Sequence, residues 1–227
     1  IAGAGGSGLV ISATSSITGA GGEIPSQIHN TGIINAAGVG LRIHADNVLA
    51  DVTNDSSDPL LFPPGEITSQ SGAAVVLSAN TSWVGNITND GTVSGLRGMI
   101  VNGTSDGFQV FSTGGTYEGT ITNNGVMEGD LVGLYISGTS FDGALVNDGQ
   151  LIGTATEGSA VAGLIVGVNN WTGNITNTGL IQGAVTGAYI NASTFSGNIV
   201  NDGQISGGTG SINQFQFDPG LVISVGT

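Results

Sequence analysis

Five stretches of thirteen residues decide the fold, and the clearest of them is WTGNITNTGLIQG at residues 171–183. Each stretch begins with an aromatic residue, continues with Gly and an apolar-x-Asn triplet, and ends with a short apolar segment between two Gly. The other four are WVGNITNDGTVSG at 83–95, YEGTITNNGVMEG at 117–129, FDGALVNDGQLIG at 141–153 and FSGNIVNDGQISG at 195–207. Self-similarity of this kind indicates a repeat architecture.

The segments inside each repeat predict strands. They are short, they alternate apolar and polar residues, and Gly, Asn, Asp or Ser separates them. A further segment of the form Gly-apolar-x-apolar, such as residues 133–136, follows in most repeats. About three short strands per repeat predict one coil of an all-β, single parallel β-solenoid, and the usual hand of parallel crossovers predicts a right-handed β-helix.

The apolar-x-Asn triplet sets the period of the coils. It occurs seven times, at spacings of 24, 35, 34, 24, 30 and 24 residues, which fits a base repeat of 24 with insertions. Stacked coils would place its Asn side chains above one another, where their amides can bond in a ladder. The predicted ladder consists of Asn30, Asn54, Asn89, Asn123, Asn147, Asn177 and Asn201.

The aromatic residue that opens each stretch predicts a second column. Rings stacked in one corner of the core add about 0.5–1.5 kcal/mol per pair. The predicted aromatic stack consists of Trp83, Tyr117, Phe141, Trp171 and Phe195. The repeats predict one continuous domain over residues 1–227, with loop insertions near 55–65, 102–107 and 154–159.

Composition excludes several classes of partner. The net charge is −14, with only 2 Lys and Arg, which argues against nucleic acid and against anionic membranes. With no Cys, the chain forms no disulfide, and it contains no apolar run long enough for direct membrane insertion. Because it begins with Ile and shows no signal peptide, we expect a processed chain or a fragment of a longer one.

No catalytic, cofactor-binding or metal-binding residue is predicted. The acidic residues occur mainly as turn residues, so a polysaccharide-active enzyme that uses Asp142 or Asp148 is the least favoured alternative. The Asn-Asp-Gly turns allow weak Ca²⁺ binding, although neither the calcium-roll nonapeptide nor an EF-hand loop is present.

One row of residues predicts an interface. The middle residue of the Gly-apolar-x-apolar strand should face outward, where apolar residues indicate a covered or partner-facing surface. That row reads Arg42, Val76, Ile100, Tyr135, Ile165 and Tyr189. The strings GLVIS at 8–12 and 220–224 are the same strand type, which predicts head-to-tail or lateral self-association, with Phe215 and Phe217 near the junction.

The strings GNITNDGTVSG, GTITNNGVMEG and GNITNTGLIQG resemble repeats in the passenger regions of bacterial autotransporter-type surface proteins. The resemblance spans about residues 24–210. It implies a right-handed β-helix at the cell surface or outside the cell, as a stalk or an adhesin. We therefore expect a structural stalk or filament-forming subunit, with an adhesin that binds host or matrix glycans as the alternative.

Overall fold

The computed structural model describes residues 2–3, 6–19, 25–55, 64–95, 108–112, 115–155, 161–208 and 220–226. All regular secondary structure in these ranges is β-strand. The fold is a right-handed parallel β-solenoid, as the repeats predict.

The described residues form 24 strands. They are β1 (Ala2–Gly3), β2 (Leu9–Ser12), β3 (Ser16–Ile17), β4 (Ser26–Asn30), β5 (Ile33–Ala36), β6 (Leu41–Asn54), β7 (Glu66–Ser69), β8 (Val75–Val84), β9 (Ile87–Asn89), β10 (Thr92–Gly95), β11 (Phe108–Ser112), β12 (Thr116–Glu118), β13 (Ile121–Asn123), β14 (Val126–Gly129), β15 (Val132–Asp142), β16 (Leu145–Asn147), β17 (Gln150–Gly153), β18 (Ala162–Thr172), β19 (Ile175–Asn177), β20 (Leu180–Gly183), β21 (Thr186–Ser196), β22 (Ile199–Asn201), β23 (Gln204–Gly207) and β24 (Leu221–Val225).

The strands stack into three faces. Face 1 is an eight-stranded sheet in the order β1-β5-β7-β10-β14-β17-β20-β23. Face 2 holds the long strands β6, β8, β15, β18 and β21, with β2, β3, β11, β12 and β24. Face 3 holds β4, the end of β6, β9, β13, β16, β19 and β22. Because β6 runs without a break from face 2 into face 3, these two faces form one 16-stranded sheet.

Alternation along the strands decides what is buried. In β13, Ile121 and Asn123 are buried and Thr122 lies between them on the outer side. In β14, Met127 is fully buried between two more exposed neighbours. The same pattern in successive coils lines the interior with one thin core, which includes Ile34, Ile67, Val93, Leu151 and Ile181 from face 1.

Glycine closes the corner between faces 2 and 3. Gly173 has φ +127°, and a Cβ added there would lie 1.7 Å from the carbonyl oxygen of Gly143 in the preceding coil. Gly143 repeats the pattern with φ +153° against Gly119. The backbone of successive coils therefore comes closer at this corner than any side chain would permit.

The insertions fall between strands. After β6 ends, the chain returns to the coil at Gly65, whose N–H donates to the carbonyl of Asp55 at 2.7 Å. An insertion thus leaves and re-enters the stack at one point. Most of the predicted 55–65 and 154–159 insertions (residues 56–63 and 156–159), and all of 102–107, lie outside the described residues.

Candidate functional site

The asparagine ladder is confirmed, and it is continuous. Each Asn donates from Nδ2 to Oδ1 of the Asn in the next coil, and the six distances from Asn30 to Asn201 are 2.8, 2.8, 2.9, 2.7, 2.6 and 2.7 Å. The strand register aligns the same residues across face 3. All donors point the same way, so the ladder has a direction along the solenoid.

Each buried amide is also bonded to the backbone. Asn89 Nδ2 donates to the carbonyl of Gly91 at 3.1 Å as well as to Asn123. Asn89 and Asn123 are fully buried, which would be costly for an unpaired amide. The ladder thus satisfies the hydrogen-bonding groups of the buried Asn side chains. These amides serve to hold successive coils together.

The predicted aromatic residues occupy one column at the corner between faces 2 and 3. Tyr117 stacks on Phe141 with ring centroids 4.7 Å apart, and Phe141 stacks on Trp171 at 3.9 Å. Phe195 continues the column, with its ring centroid 6.1 Å from that of Trp171, and Trp83 pairs in register with Tyr117.

The column extends beyond the aromatic residues. The register places Val48 beside Trp83 and Ile17 beside Val48. Sequence reasoning missed these two members because it searched for rings. Val48 nevertheless stands four residues before its apolar-x-Asn triplet at Val52, the same offset as Trp83 from Ile87.

The two tryptophans of this column differ in their hydrogen bonds. Trp171 Nε1 donates to the carbonyl of Gly173 at 3.0 Å. The equivalent acceptor for Trp83 is the carbonyl of Gly85, which instead accepts from Tyr117 Oη at 3.1 Å. Trp83 Nε1 has no partner and is the one such buried side-chain atom among the described residues. Burial, with a smaller effect from the Asp51 carboxylate, raises the pKa of Tyr117 above its usual range.

The turn residues after the ladder form an exposed column. Asn124 Nδ2 donates to Asp90 Oδ1 at 2.6 Å, and Thr178 Oγ1 donates to Asp148 Oδ1 at 2.6 Å. Neutral donors thus separate the acids in this part of the column, and Asp202 follows Thr178. From Asp90 to Asp202 this alternation avoids placing like charges directly opposite each other in neighbouring coils, whereas Asp55 precedes Asp90 with no neutral residue between them.

The two acids of the enzyme alternative, Asp142 and Asp148, occupy different structural positions. Asp142 is exposed at the end of β15, in register with Glu118 and Thr172. Asp148 lies in the turn column, bonded to Thr178. Within the described ranges, no group of three or more His, Asp or Glu is arranged to hold a metal ion.

The outward row on face 2 is present, with one correction. Pairing aligns Val10, Arg42, Val76, Gln109, Tyr135, Ile165, Tyr189 and Val222. Ile100 lies outside the described residues, and Gln109 occupies the position predicted for it. Both 98–101 and 107–110 fit the Gly-apolar-x-apolar pattern, and the extra residues of this repeat precede the strand. Phe215 and Phe217 also lie outside the described residues.

Exposure varies strongly along this row. Val76 is 7% exposed although it faces outward, whereas Tyr189 is 37% exposed and Val10 is 50% exposed. The row is therefore covered at Val76 and more open at Val10 and Tyr189.

Comparison with known proteins yields no relative: no family model, no curated protein and no solved structure matches this chain. Among the described residues, no helix has the length and apolar character needed to cross a membrane. The class of protein is thus set by the fold itself, a parallel β-solenoid with an internal asparagine ladder.

Proposed function

We propose that this chain is a non-enzymatic structural protein, a rod that serves as a cell-surface stalk or as a subunit of an extracellular filament. The observation that carries the proposal is the unbroken asparagine ladder through seven coils. Each Asn side chain along the ladder is used to stack one coil on the next. A stack in which each coil contacts only its neighbours extends in one dimension, which suits a stalk.

The end coils support self-association. Leu221, Ile223 and Val225 lie in inward columns, because they pair with the buried residues Ala188, Ile190 and Ala192. They are nevertheless 38%, 48% and 46% exposed. Apolar side chains of this kind favour a further β-coil stacked on them.

A second copy offers a matching surface. Its β2 begins with Leu9-Val10-Ile11-Ser12, the same four residues as Leu221-Val222-Ile223-Ser224 in β24. Both strands belong to the same face and the same register. Stacking β24 of one copy on β2 of the next is a heterologous contact, which generates an open filament.

The placement outside the cell rests on the sequence resemblance to autotransporter passengers. The acidic, cation-poor composition fits that placement, since self-repulsion keeps a β-rich surface soluble. The resemblance also favours a stalk over an enzyme, and we propose no reaction.

Negative-stain electron microscopy and sedimentation velocity of the 227-residue chain test the proposal. We expect concentration-dependent linear assemblies. Ile223→Lys, on the inward side of β24, should abolish them, because it places a charge in the stacked core. Val222→Lys, on the outward side of the same strand, is the matched control and should preserve them. Dispersed monomers at high concentration, or equal effects of the two variants, would refute self-assembly.

A further inference from the structure

A notch interrupts the outer surface of face 2. Gly167 in β18 occupies an outward position, in register with Ser137 of β15 and Asn191 of β21. A Cβ added at Gly167 would meet no atom within 4 Å. The two flanking strands are about 9.6 Å apart, twice the strand spacing. The missing side chain therefore leaves an opening about as wide as one sugar ring.

The next outward column supplies an apolar wall. Ile165 lies two residues before Gly167 on the same strand, between Tyr135 and Tyr189 in register. Ile165 is half-buried and Tyr189 is 37% exposed. Tyrosine presents an apolar ring face together with a hydroxyl group, a combination that suits ligands with both apolar and polar surfaces.

An amide beside the notch, on the neighbouring strand β21, is unused. Asn191 is exposed, and its side-chain amide makes no hydrogen bond to another described residue. Other exposed amides are engaged: Asn124 bonds to Asp90, and Asn170 bonds to Thr194 and Ser140. Asn191 is thus free to donate and accept towards a ligand.

The surroundings are uncharged on a chain whose net charge is −14. The three strands β15, β18 and β21 contain one charged residue, Asp142, at the far end of β15. The corresponding strand β6 carries Arg42, Asp46 and Asp51. A neutral surface of hydroxyl, amide and ring groups complements a neutral ligand, and it offers no cation to hold an acidic one.

We propose that the Gly167 notch binds a neutral carbohydrate. One sugar ring lies over Gly167, with its C–H face against Ile165 and Tyr189 and its hydroxyl groups towards Asn191 and Ser137. A peptide strand is the poorer occupant, because β18 is already paired on both sides and has no free edge for it. The inference is independent of filament formation, since the notch lies on the side of the solenoid.

Titration calorimetry with soluble neutral hexasaccharides of glucose, N-acetylglucosamine, mannose and galactose tests the site, with hexagalacturonate as the acidic comparison. We expect at least one neutral hexasaccharide to bind and hexagalacturonate not to bind. Gly167→Val fills the notch without a backbone clash and should weaken binding by about tenfold or more. Tyr189→Ala should do the same, and Tyr189→Phe, which keeps the ring, should change it by less than about threefold.

Thr176→Ala, on face 3, is the control for an unrelated outward substitution. No binding by any neutral hexasaccharide would overturn the proposal, as would preferential binding of hexagalacturonate or binding that Gly167→Val leaves unchanged. Lateral self-association that Gly167→Val removes would also overturn it, because the occupant would then be a second copy. Assembly is measured on the same samples. A failure of sugar binding can therefore be distinguished from a failure of the rod proposal.

Discussion

At the corner between faces 3 and 1, the inward column is asparagine in every coil from Asn30 to Asn201, whereas the column between faces 2 and 3 changes from coil to coil. There the members are Ile17, Val48, Trp83, Tyr117, Phe141, Trp171 and Phe195. An amide needs a matching amide on both sides, because a single replacement leaves two buried groups unpaired. An apolar column needs only volume, so it tolerates exchange.

The largest effect is expected at the glycine that closes the aromatic corner. Gly173→Ala places a Cβ 1.7 Å from the Gly143 carbonyl oxygen, at φ +127°. Neither backbone has room to move, so we expect a loss of more than about 4 kcal/mol in the free energy of unfolding, measured with denaturant. Gly167→Ala is the control, where the new Cβ meets nothing, and it should change stability by less than about 1 kcal/mol. Similar costs at the two sites would contradict the close contact between coils.

The next effect compares the two columns directly. Asn123→Leu leaves Nδ2 of Asn89 and Oδ1 of Asn147 without their ladder partners, and we expect a cost of about 3 kcal/mol. Phe141→Leu, at the aromatic corner of the next coil, keeps an apolar side chain and should cost about 1–2 kcal/mol. Chemical denaturation of both variants gives the comparison. If Asn123→Leu were as mild as Phe141→Leu, the requirement for identity in the ladder would be wrong.

A smaller effect is expected outside the core, in the turn column. Asn124→Asp removes the 2.6 Å bond to Asp90 and puts four carboxylates in consecutive coils, Asp55, Asp90, the new residue and Asp148. We expect a loss of about 1 kcal/mol at neutral pH and low salt, which shrinks with added salt or on acidification. Asn124→Thr copies the donor found at Thr178 and should be nearly neutral. A loss that is insensitive to both salt and pH would exclude charge repulsion as its cause.

The smallest effect at neutral pH is expected for Tyr117→Phe. The variant loses one buried bond but frees the Gly85 carbonyl for Trp83 Nε1, so stability should change by less than about 1 kcal/mol. Tyr189→Phe is the control, since Tyr189 is exposed. Thermal denaturation near pH 7 measures the difference.

The Tyr117→Phe variant should also differ from the wild type in its stability at alkaline pH. Because the folded state raises the pKa of Tyr117, its neutral form contributes fully below the unfolded pKa near 10. That contribution falls as the pH rises above about 10, by up to about 1.4 kcal/mol per pH unit. Tyr117→Phe should remove this part of the alkaline loss, and Tyr189→Phe should not. Identical alkaline profiles for wild type and Tyr117→Phe would contradict the burial of a neutral hydroxyl.

The sequence was sufficient for the features that depend on exact repetition. The ladder and the aromatic column follow from residues that recur at matching positions, and so do the strand types at the two ends. It was insufficient where spacing varies: Ile100 and Gln109 both fit one pattern, and only pairing with Val76 distinguishes them. Val48 was missed because its column requires only an apolar side chain of suitable volume, and several residue types meet that requirement. The notch at Gly167 was also missed, since a glycine within a strand looks the same whether its neighbours leave space or not.

Cysteine cross-linking tests the stacking of coils most directly, because the chain contains no Cys of its own. Thr122 pairs in register with Val146, and Thr176 lies one coil further on. The pair Thr122→Cys with Val146→Cys should oxidise readily to an intramolecular disulfide, since adjacent strands are about 4.8 Å apart. The pair Thr122→Cys with Thr176→Cys, about 9.6 Å apart, should not. Cross-linking of the second pair in preference to the first, or of both equally, would contradict the in-register solenoid.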